Sequence, residues 1–478
     1  METLKHKTVK GTLWSSIERF ATQAVSFVVM IIMASLLTPE DYGLVAMLTI
    51  FIAISQSLVD SGFSNALIRK QDRNETDNST VFYFNIAVGI FLYLLIFLSA
   101  PLIAAFYKQP LLVPIARIMS LSIIINGLAI IQRTVLTSKL DFKTQAKASF
   151  SGAVVSGIIG IAMAYTGYGV WSIVAYHIAS ITTSSVLLWF LSRWRPKLVY
   201  SWKSFRELFG FGSKLAISGI IDTLYNNIYL LVIGKAFNAA DLGYYTRASQ
   251  FAQFPSSNIT GILQRVTYPV LCTMQDDTER LRDVYRRFLR LSAFVVFPLM
   301  MGLATVSKPL ILLLLKEQWA FSAVLLPILC FAMMWYPIHA INLNLLQVSG
   351  RSDLFLRLEI IKKIIGVAIL CITLPLGLIA MCVGSIFSSL ICLIINTHYT
   401  GKLIQVGFLT QMRDIMPTLA YSLSMGAIVY LVVNMLPVLW LQLTVGIITG
   451  VAYFMAITKL TRSRDLKEAV GFIKEIKR

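Results

Sequence analysis

Long apolar runs recur along this chain at helical membrane-spanning length, separated by short polar connections. An α-helix rises 1.5 Å per residue, so roughly 20 mainly apolar residues cross the ~30 Å hydrocarbon layer. That template fits fourteen times, over approximately 12–37, 42–67, 79–106, 111–136, 148–165, 169–192, 207–236, 243–270, 289–315, 320–348, 358–375, 378–400, 415–435 and 438–459. A chain of 478 residues that is 57% apolar and 14% charged, with a mean hydropathy of +0.73, has too little polar surface to cover a soluble globule of its size. The expected fold is an all-α integral membrane protein of about fourteen spans. The run at 12–37, preceded by Lys5, Lys7 and Lys10, is too long for the apolar core of a signal peptide and reads as the first span.

Charge placement tests the count, because Lys and Arg should alternate between rich and poor sides of the membrane if every span is real. Of the 42 Lys and Arg, 32 fall on the even-numbered connections, the two termini and the helix ends beside them. The odd-numbered connections hold only Lys108, Lys235 and Lys316. Both termini are therefore expected in the cytoplasm. The net charge of +19 becomes a topology signal and an attraction to anionic inner-leaflet lipid rather than a nucleic-acid footprint. Membrane lipids are thus expected partners and nucleic acid is not.

A turn is used twice. Thr38-Pro39-Glu40-Asp41-Tyr42-Gly43 returns as Asn238-Ala239-Ala240-Asp241-Leu242-Gly243, displaced by 200 residues. Each copy reads as a helix start, with Thr38 or Asn238 as the N-cap and Asp41 or Asp241 three residues on. Asp141-Phe142 is matched with Asp353-Leu354, and Gly167 with Gly377. Six spans repeat and two are appended, and six is even, so two similarly oriented lobes related by a pseudo-twofold along the membrane normal are expected, with a cleft between them. The divisions are 1–200, 201–402 and 403–478. The second lobe opens with an interfacial segment around Trp202, Phe205, Leu208 and Phe209, where Ser204 and Glu207 have capping-box spacing. The tail carries Leu466, Val470, Ile473 and Ile476 at helical spacing among lysines, as in a short amphipathic helix on the inner leaflet.

Ionisable groups inside spans cost roughly 2.5–3.5 kcal/mol each on insertion scales and usually face a cavity or a partner. These are Glu18 and Arg19 in the first span, Asp60 in the second, Arg133 in the fourth, Lys214 and Asp222 in the seventh, Arg265 in the eighth and Lys308 in the ninth, with Arg117 and Arg247 nearer the outer ends. Arginine presents a fork of donors suited to phosphate. Arg19, Arg265, Arg133 and Lys214, with Gln23, Gln56 and Asn226, form the expected binding set for an anionic, sugar-bearing cargo. Asp60, Asp222 and Glu18 are candidates for coupling to H⁺ or Na⁺; the competing reading of the two aspartates is a structural salt bridge to an arginine. No other cofactor is expected. The five cysteines lack metal-ligand spacing, and Walker A, HExxH and GxSxG motifs are absent, so neither a metal site nor a catalytic site is expected.

The chain resembles the polysaccharide transporters of the multidrug/oligosaccharidyl-lipid/polysaccharide exporter superfamily, especially the colanic acid and O-antigen flippases. The residues that carry the likeness are Leu37-Thr38-Pro39-Glu40-Asp41-Tyr42-Gly43, Asp60-Ser61-Gly62-Phe63-Ser64, Gly169-Val170-Trp171-Ser172, Leu242-Gly243-Tyr244-Tyr245-Thr246-Arg247 and Gly350-Arg351-Ser352-Asp353. The resemblance implies a V-shaped pair of six-helix lobes in a bacterial inner membrane. It implies transfer of an undecaprenyl-pyrophosphate-linked oligosaccharide to the periplasmic leaflet by alternating access, with polysaccharide polymerase and chain-length proteins as further partners. It also implies a cavity arginine in the first span, which Arg19 matches, and a lipid-tail groove on the last two helices. The rival readings are a cation-coupled drug or metabolite antiporter of the same superfamily and a membrane polysaccharide polymerase or ligase. The cationic inventory argues against the first, and the short outward connections argue against the second.

Overall fold

The computed structural model describes residues 21–60, 62–70 and 72–476. Among these the regular structure is helical: α1 (Ala21–Leu36), α2 (Pro39–Asp60), α3 (Phe63–Arg69), α4 (Glu75–Tyr107), α5 (Leu112–Met119), α6 (Leu121–Ser138), α7 (Phe142–Tyr165), α8 (Val170–Leu191), α9 (Trp202–Ala236) and α10 (Ala239–Cys272). There follow α11 (Thr278–Thr305), α12 (Ser307–Leu315), α13 (Ala320–Met333), α14 (Tyr336–Val348), α15 (Ser352–Thr373), α16 (Leu378–Ile404), α17 (Phe408–Met435), α18 (Leu439–Leu460) and α19 (Arg464–Ile476). Eleven helical segments among the described residues are long and apolar enough to cross a membrane, which makes this a multi-pass membrane protein. Three of the fourteen expected spans fall outside that set: α1 is short over its described part, and α10 and α15 are more polar. In α15 the cause is Arg357, Glu359, Lys362 and Lys363 within one helix.

The chain divides into two compact units, one ending at Gly243 and the other running from Tyr244 to Arg478. In the first, α7 lies against α8 through small residues: Ala148, Gly152, Ser156 and Gly160 recur every four positions, and a β-carbon on Gly152 would meet the Ser184 hydroxyl at 2.1 Å. Lipid offers no hydrophobic drive between apolar helices, so close backbone approach through small side chains supplies the contact energy.

The segment expected to be interfacial is continuous with the seventh span. Helix α9 runs unbroken for 35 residues, and its N-cap is Ser201, whose hydroxyl accepts the Ser204 amide at 3.3 Å. Ser201 thus replaces Ser204 as the cap, and Glu207 pairs with Lys70 at 3.0 Å. An aromatic cluster holds this end: Phe205 sits 5.0 Å from Phe84 and 6.1 Å from Phe63, which is fully buried. The connection before it is stitched to the start of α4 by Trp194 Nε1 on Glu75 (2.8 Å) and by the Lys197 and Ser201 amides on Ser79 and Thr80 (both 3.0 Å). Burial works against the Lys70 charge, but the Glu207 and Asp77 carboxylates outweigh it and raise the ammonium above the usual lysine range.

The repeated turns fold as expected and do something further. Thr38 and Asp41 cap each other reciprocally, with Thr38 N to Asp41 Oδ2 at 2.9 Å and Asp41 N to Thr38 Oγ1 at 3.2 Å. Asn238 accepts the Asp241 amide at 2.7 Å. Both turns lie in the first unit and cross each other at their glycines. A β-carbon on Gly43 would lie 1.7 Å from the Ala239 carbonyl oxygen, and one on Gly243 would lie 1.9 Å from that of Pro39. The last residue of each motif therefore seats the first helical residue of the other.

Further along, the repeat register differs from the one expected. Leu140 and Gly350 share a left-handed backbone (φ 58° and 70°), and the next amides, Asp141 and Arg351, reach back to Leu136 and Leu346 with equal 2.9 Å bonds. Asp141 therefore corresponds to Arg351 rather than to Asp353, which gives the same displacement as Gly167 to Gly377, both again with positive φ. Asp141 caps α7 through the Thr144 amide, whereas Asp353 bonds back to the Arg351 guanidinium in two places (2.9 and 3.0 Å).

In the second unit the appended helices are docked tightly. Phe294 of α11, Val306, Met425, Val429 and Val433 of α17, and Phe454 of α18 form one buried cluster, with Leu466 of α19 packed against it. A buried polar knot joins three helices here. Asn342 of α14 exchanges two bonds with Gln411 of α17 (3.0 and 3.1 Å), and its carbonyl accepts the Thr400 hydroxyl of α16 at 2.6 Å. Truncating Asn342→Ala would remove three buried side-chain bonds to Gln411 and Thr400, leaving their donors on the Val406 and Asn396 carbonyls. We expect a loss of about 1–3 kcal/mol, read as a lower thermal unfolding midpoint in detergent, and Asn342→Leu should not restore it. The tail helix is amphipathic as expected, and its polar face docks on α11: Arg290 bonds Asp465 at 3.2 Å and Glu468 at 3.3 Å. Of its expected apolar stripe, the side chains of Val470, Ile473 and Ile476 lie outside the described residues.

Candidate functional site

Three of the residues singled out in the sequence line one cavity of the first unit. Gln56 and Asp60 from the last turns of α2, Ser64 and Ile68 from α3, and Asn126, Ile130, Arg133, Thr134 and Thr137 from α6 surround a space of about 370 Å³. The spacing in α6 explains the grouping: Asn126, Ile130, Arg133 and Thr137 follow one another at four, three and four residues and share a face. On α2, Gln56 and Asp60 are likewise one turn apart.

The electrostatics are uneven. Asp60 accepts the Ser64 hydroxyl at 2.5 Å, so part of its charge is satisfied within its own hairpin. Among the described residues no carboxylate pairs with Arg133 at ion-pair distance, and its guanidinium is exposed. An unneutralised guanidinium beside amide and hydroxyl groups can take an anionic oxygen from a ligand in a bidentate grip.

The other expected site residues are placed elsewhere. Lys214, Asp222 and Asn226 are on exposed positions of α9, a helix that packs along α2; a β-carbon on Gly219 would lie 3.0 Å from the Ser57 hydroxyl. Gln23 lies on α1, and its Oε1 is buried without a hydrogen-bond partner among the described residues. Arg265 is on α10 in the second unit, next to Gln264, which donates to Asn344 at 3.3 Å. Glu18 and Arg19 lie outside the described residues. Asn126 and Thr137 were missed in the sequence. The available signal was their seven- and four-residue spacing from Arg133 on a helix otherwise rich in Ile and Leu.

The architecture is that of a polytopic helical membrane protein. It superposes on the lipid II flippase MurJ in its inward closed conformation with a TM-score of 0.79, at 16% sequence identity, covering 95% of this chain and 99% of the other. The chain belongs to the family of polysaccharide biosynthesis proteins, whose profile matches residues 32–324. It is 27% identical over 360 residues to the teichuronic acid biosynthesis protein TuaB of Bacillus subtilis, covering 74% of each chain. It is 24% identical over 397 residues to the lipopolysaccharide biosynthesis protein WzxC of Escherichia coli, covering 83% of this chain and 80% of that one. The polysaccharide family to which the sequence motifs pointed is thereby shown.

Proposed function

We propose that the protein carries a lipid-linked oligosaccharide with a pyrophosphate link, of the undecaprenyl type, from the cytoplasmic to the periplasmic leaflet by alternating access. The carrying observation is Arg133, an unneutralised guanidinium within a membrane helix, facing a cavity lined by amide and hydroxyl groups. A sugar-pyrophosphate head cannot enter hydrocarbon, because its charges and hydroxyls would lose their water without replacement. The cavity offers that replacement: donors for phosphate from Arg133, and mixed donors and acceptors for sugar hydroxyls from Gln56, Asn126 and Thr137. Family membership and the relatives' roles in polysaccharide biosynthesis support the same cargo class.

On the fourteen-span, cytoplasmic-termini topology, Asp60 and Arg133 lie near the cytoplasmic ends of their helices. Arg133 is five residues from the end of α6, about 8 Å along its axis. That is the level at which a headgroup in the inner leaflet would first be met. Arg19, Arg265 and Lys214 would be further ligands for the phosphates, with Gln23 and Asn226 for the sugar hydroxyls. Asp60, with Asp222 and Glu18 as further candidates, would bind the coupling H⁺ or Na⁺. Polymerase and chain-length proteins would receive the product.

In cells, loss of the protein should trap the lipid-linked oligosaccharide on the cytoplasmic leaflet, out of reach of periplasmic enzymes, and Arg19→Ala should do the same while the protein still accumulates in the membrane. Normal surface polysaccharide in the Arg19→Ala strain would sink the assignment of that residue.

A further inference from the structure

The second unit holds a larger basic cavity that the transport path described above does not use. About 820 Å³ in volume, it lies between the ends of α11 and α17 and the turn joining α18 to α19. Five guanidiniums (Arg286, Arg290, Arg413, Arg462 and Arg464) line it against two carboxylates, Asp414 and Asp465. All of these residues belong to Lys/Arg-rich connections or to the helix ends beside them, the side read as cytoplasmic.

The internal pairing decides which charges remain. Asp414 takes Arg286 in a two-pronged grip, with both bonds at 2.6 Å. Asp465 and Glu468 hold Arg290, and Glu468 also takes Arg464 at 2.8 Å. Arg413 and Arg462 are left: among the described residues neither forms an ion pair or a side-chain hydrogen bond. Paired arginines thus build the wall, and two unpaired ones supply its free positive charge.

The rim says what kind of anion fits. Leu409, one turn before Arg413, lines the cavity and is 81% exposed; Leu460, two residues before Arg462, is also 81% exposed, and Met416, three residues after Arg413 on α17, is 49% exposed. Apolar side chains this open next to free guanidiniums suit a ligand that is anionic at one end and hydrocarbon at the other. A soluble phosphate would leave them in water.

We propose that this cavity binds the phosphate headgroup of an anionic phospholipid of the cytoplasmic leaflet, with Arg413 and Arg462 as its direct ligands. Arg286 and Arg290, tied to Asp414 and to Asp465 and Glu468, hold α11, α17 and α19 around it. The site would clamp the appended helices to the leaflet. It does not depend on the cargo, because its ligand is a bulk lipid.

The test uses the full-length protein purified in detergent and presented with phosphatidylglycerol or phosphatidylcholine, with bound lipid counted by native mass spectrometry. Wild-type protein should retain phosphatidylglycerol over phosphatidylcholine. The pair Arg413→Gln/Arg462→Gln should bind it roughly 30-fold more weakly, at about fivefold per cationic group near an anionic headgroup. The pair Arg413→Lys/Arg462→Lys should keep most of the preference, and circular dichroism of both variants should remain helical. Equal retention of the two lipids by wild type, or undiminished phosphatidylglycerol binding in a folded glutamine pair, would overturn the site. Competition by millimolar inorganic phosphate as effective as competition by lipid would overturn its assignment to a lipid. Transport of the oligosaccharide is read separately, so loss of one result leaves the other standing.

Discussion

Replacing Gly43 by valine should prevent the protein from accumulating in the membrane at normal levels, and Gly243→Val should do so equally. The obstacle at each position is backbone. A β-carbon on Gly43 would lie 1.7 Å from the Ala239 carbonyl oxygen and 2.4 Å from its carbon, and at Gly243 the corresponding distances to Pro39 are 1.9 and 2.7 Å. A flexible side chain could swing away, but a capped helix start cannot. Thr38 and Asp41 fix one start and Asn238 fixes the other, so α2 and α10 would have to move apart bodily. Overpacking of this kind typically costs 1–3 kcal/mol, and more where backbone meets backbone. The measurement is the amount of folded, monodisperse protein recovered in mild detergent. Gly43→Ala should be reduced nearly as far as Gly43→Val, since the clash begins at the first carbon. Wild-type recovery of Gly43→Ala would show that the crossing is looser than these distances say.

Replacing Arg133 by alanine should leave the fold intact and lower transport about tenfold to a hundredfold. Its side chain forms no ion pair among the described residues, so removal orphans no buried carboxylate. What is lost is a charge-assisted contact to the cargo, and hydrogen bonds to charged groups contribute about 1.5–3 kcal/mol. Arg133→Lys should recover only part of the rate, because an ammonium cannot grip a phosphate with two parallel bonds. Asp60→Asn separates coupling from binding. If Asp60 carries the coupling ion, the substitution should abolish the response of transport to an imposed ion gradient while cargo binding persists. Unchanged gradient dependence in Asp60→Asn would move coupling to Asp222 or Glu18.

Much of this was legible because a bilayer imposes simple rules. Apolar length placed helices at every expected position in the described residues, and the Thr38 and Asn238 caps follow from local side-chain chemistry that needs no tertiary information. The grouping of Gln56, Asp60 and Arg133 was half legible. Each was flagged as a polar group in an apolar helix, but their convergence depends on how α2 packs against α6. Spacing within one helix cannot report packing between helices. The crossing at Gly43 and Gly243 escaped the sequence reading for a related reason: both glycines were seen as part of a turn, while their function is to admit another backbone. The shift of the repeat from Asp353 to Arg351 shows a different limit. Matching residue types favoured Asp with Asp, whereas the backbone repeats the left-handed residue and its returning amide, Leu140-Asp141 with Gly350-Arg351. The cap at Ser201 likewise overrode the Ser204–Glu207 spacing, because Glu207 is drawn to Lys70 and Phe205 to Phe63 and Phe84. The basic cavity around Arg413 and Arg462 was hidden because its residues were counted as topology signals, and a count does not separate paired arginines from free ones.

The most direct measurement follows a lipid-linked oligosaccharide between leaflets in vesicles that contain only this protein. The labelled lipid is loaded in both leaflets, and the outward-facing sugar is then cleaved or captured by an added impermeant enzyme or lectin. Translocation predicts that nearly all the label becomes accessible over time with wild-type protein, that the rise is about tenfold to a hundredfold slower with Arg133→Ala protein, and that accessibility stays near half with empty vesicles. Half-accessibility with folded wild-type protein, under every ion gradient and with each pyrophosphate-linked oligosaccharide tried, would contradict the proposed function, and transport of a cationic drug by the same vesicles would replace it.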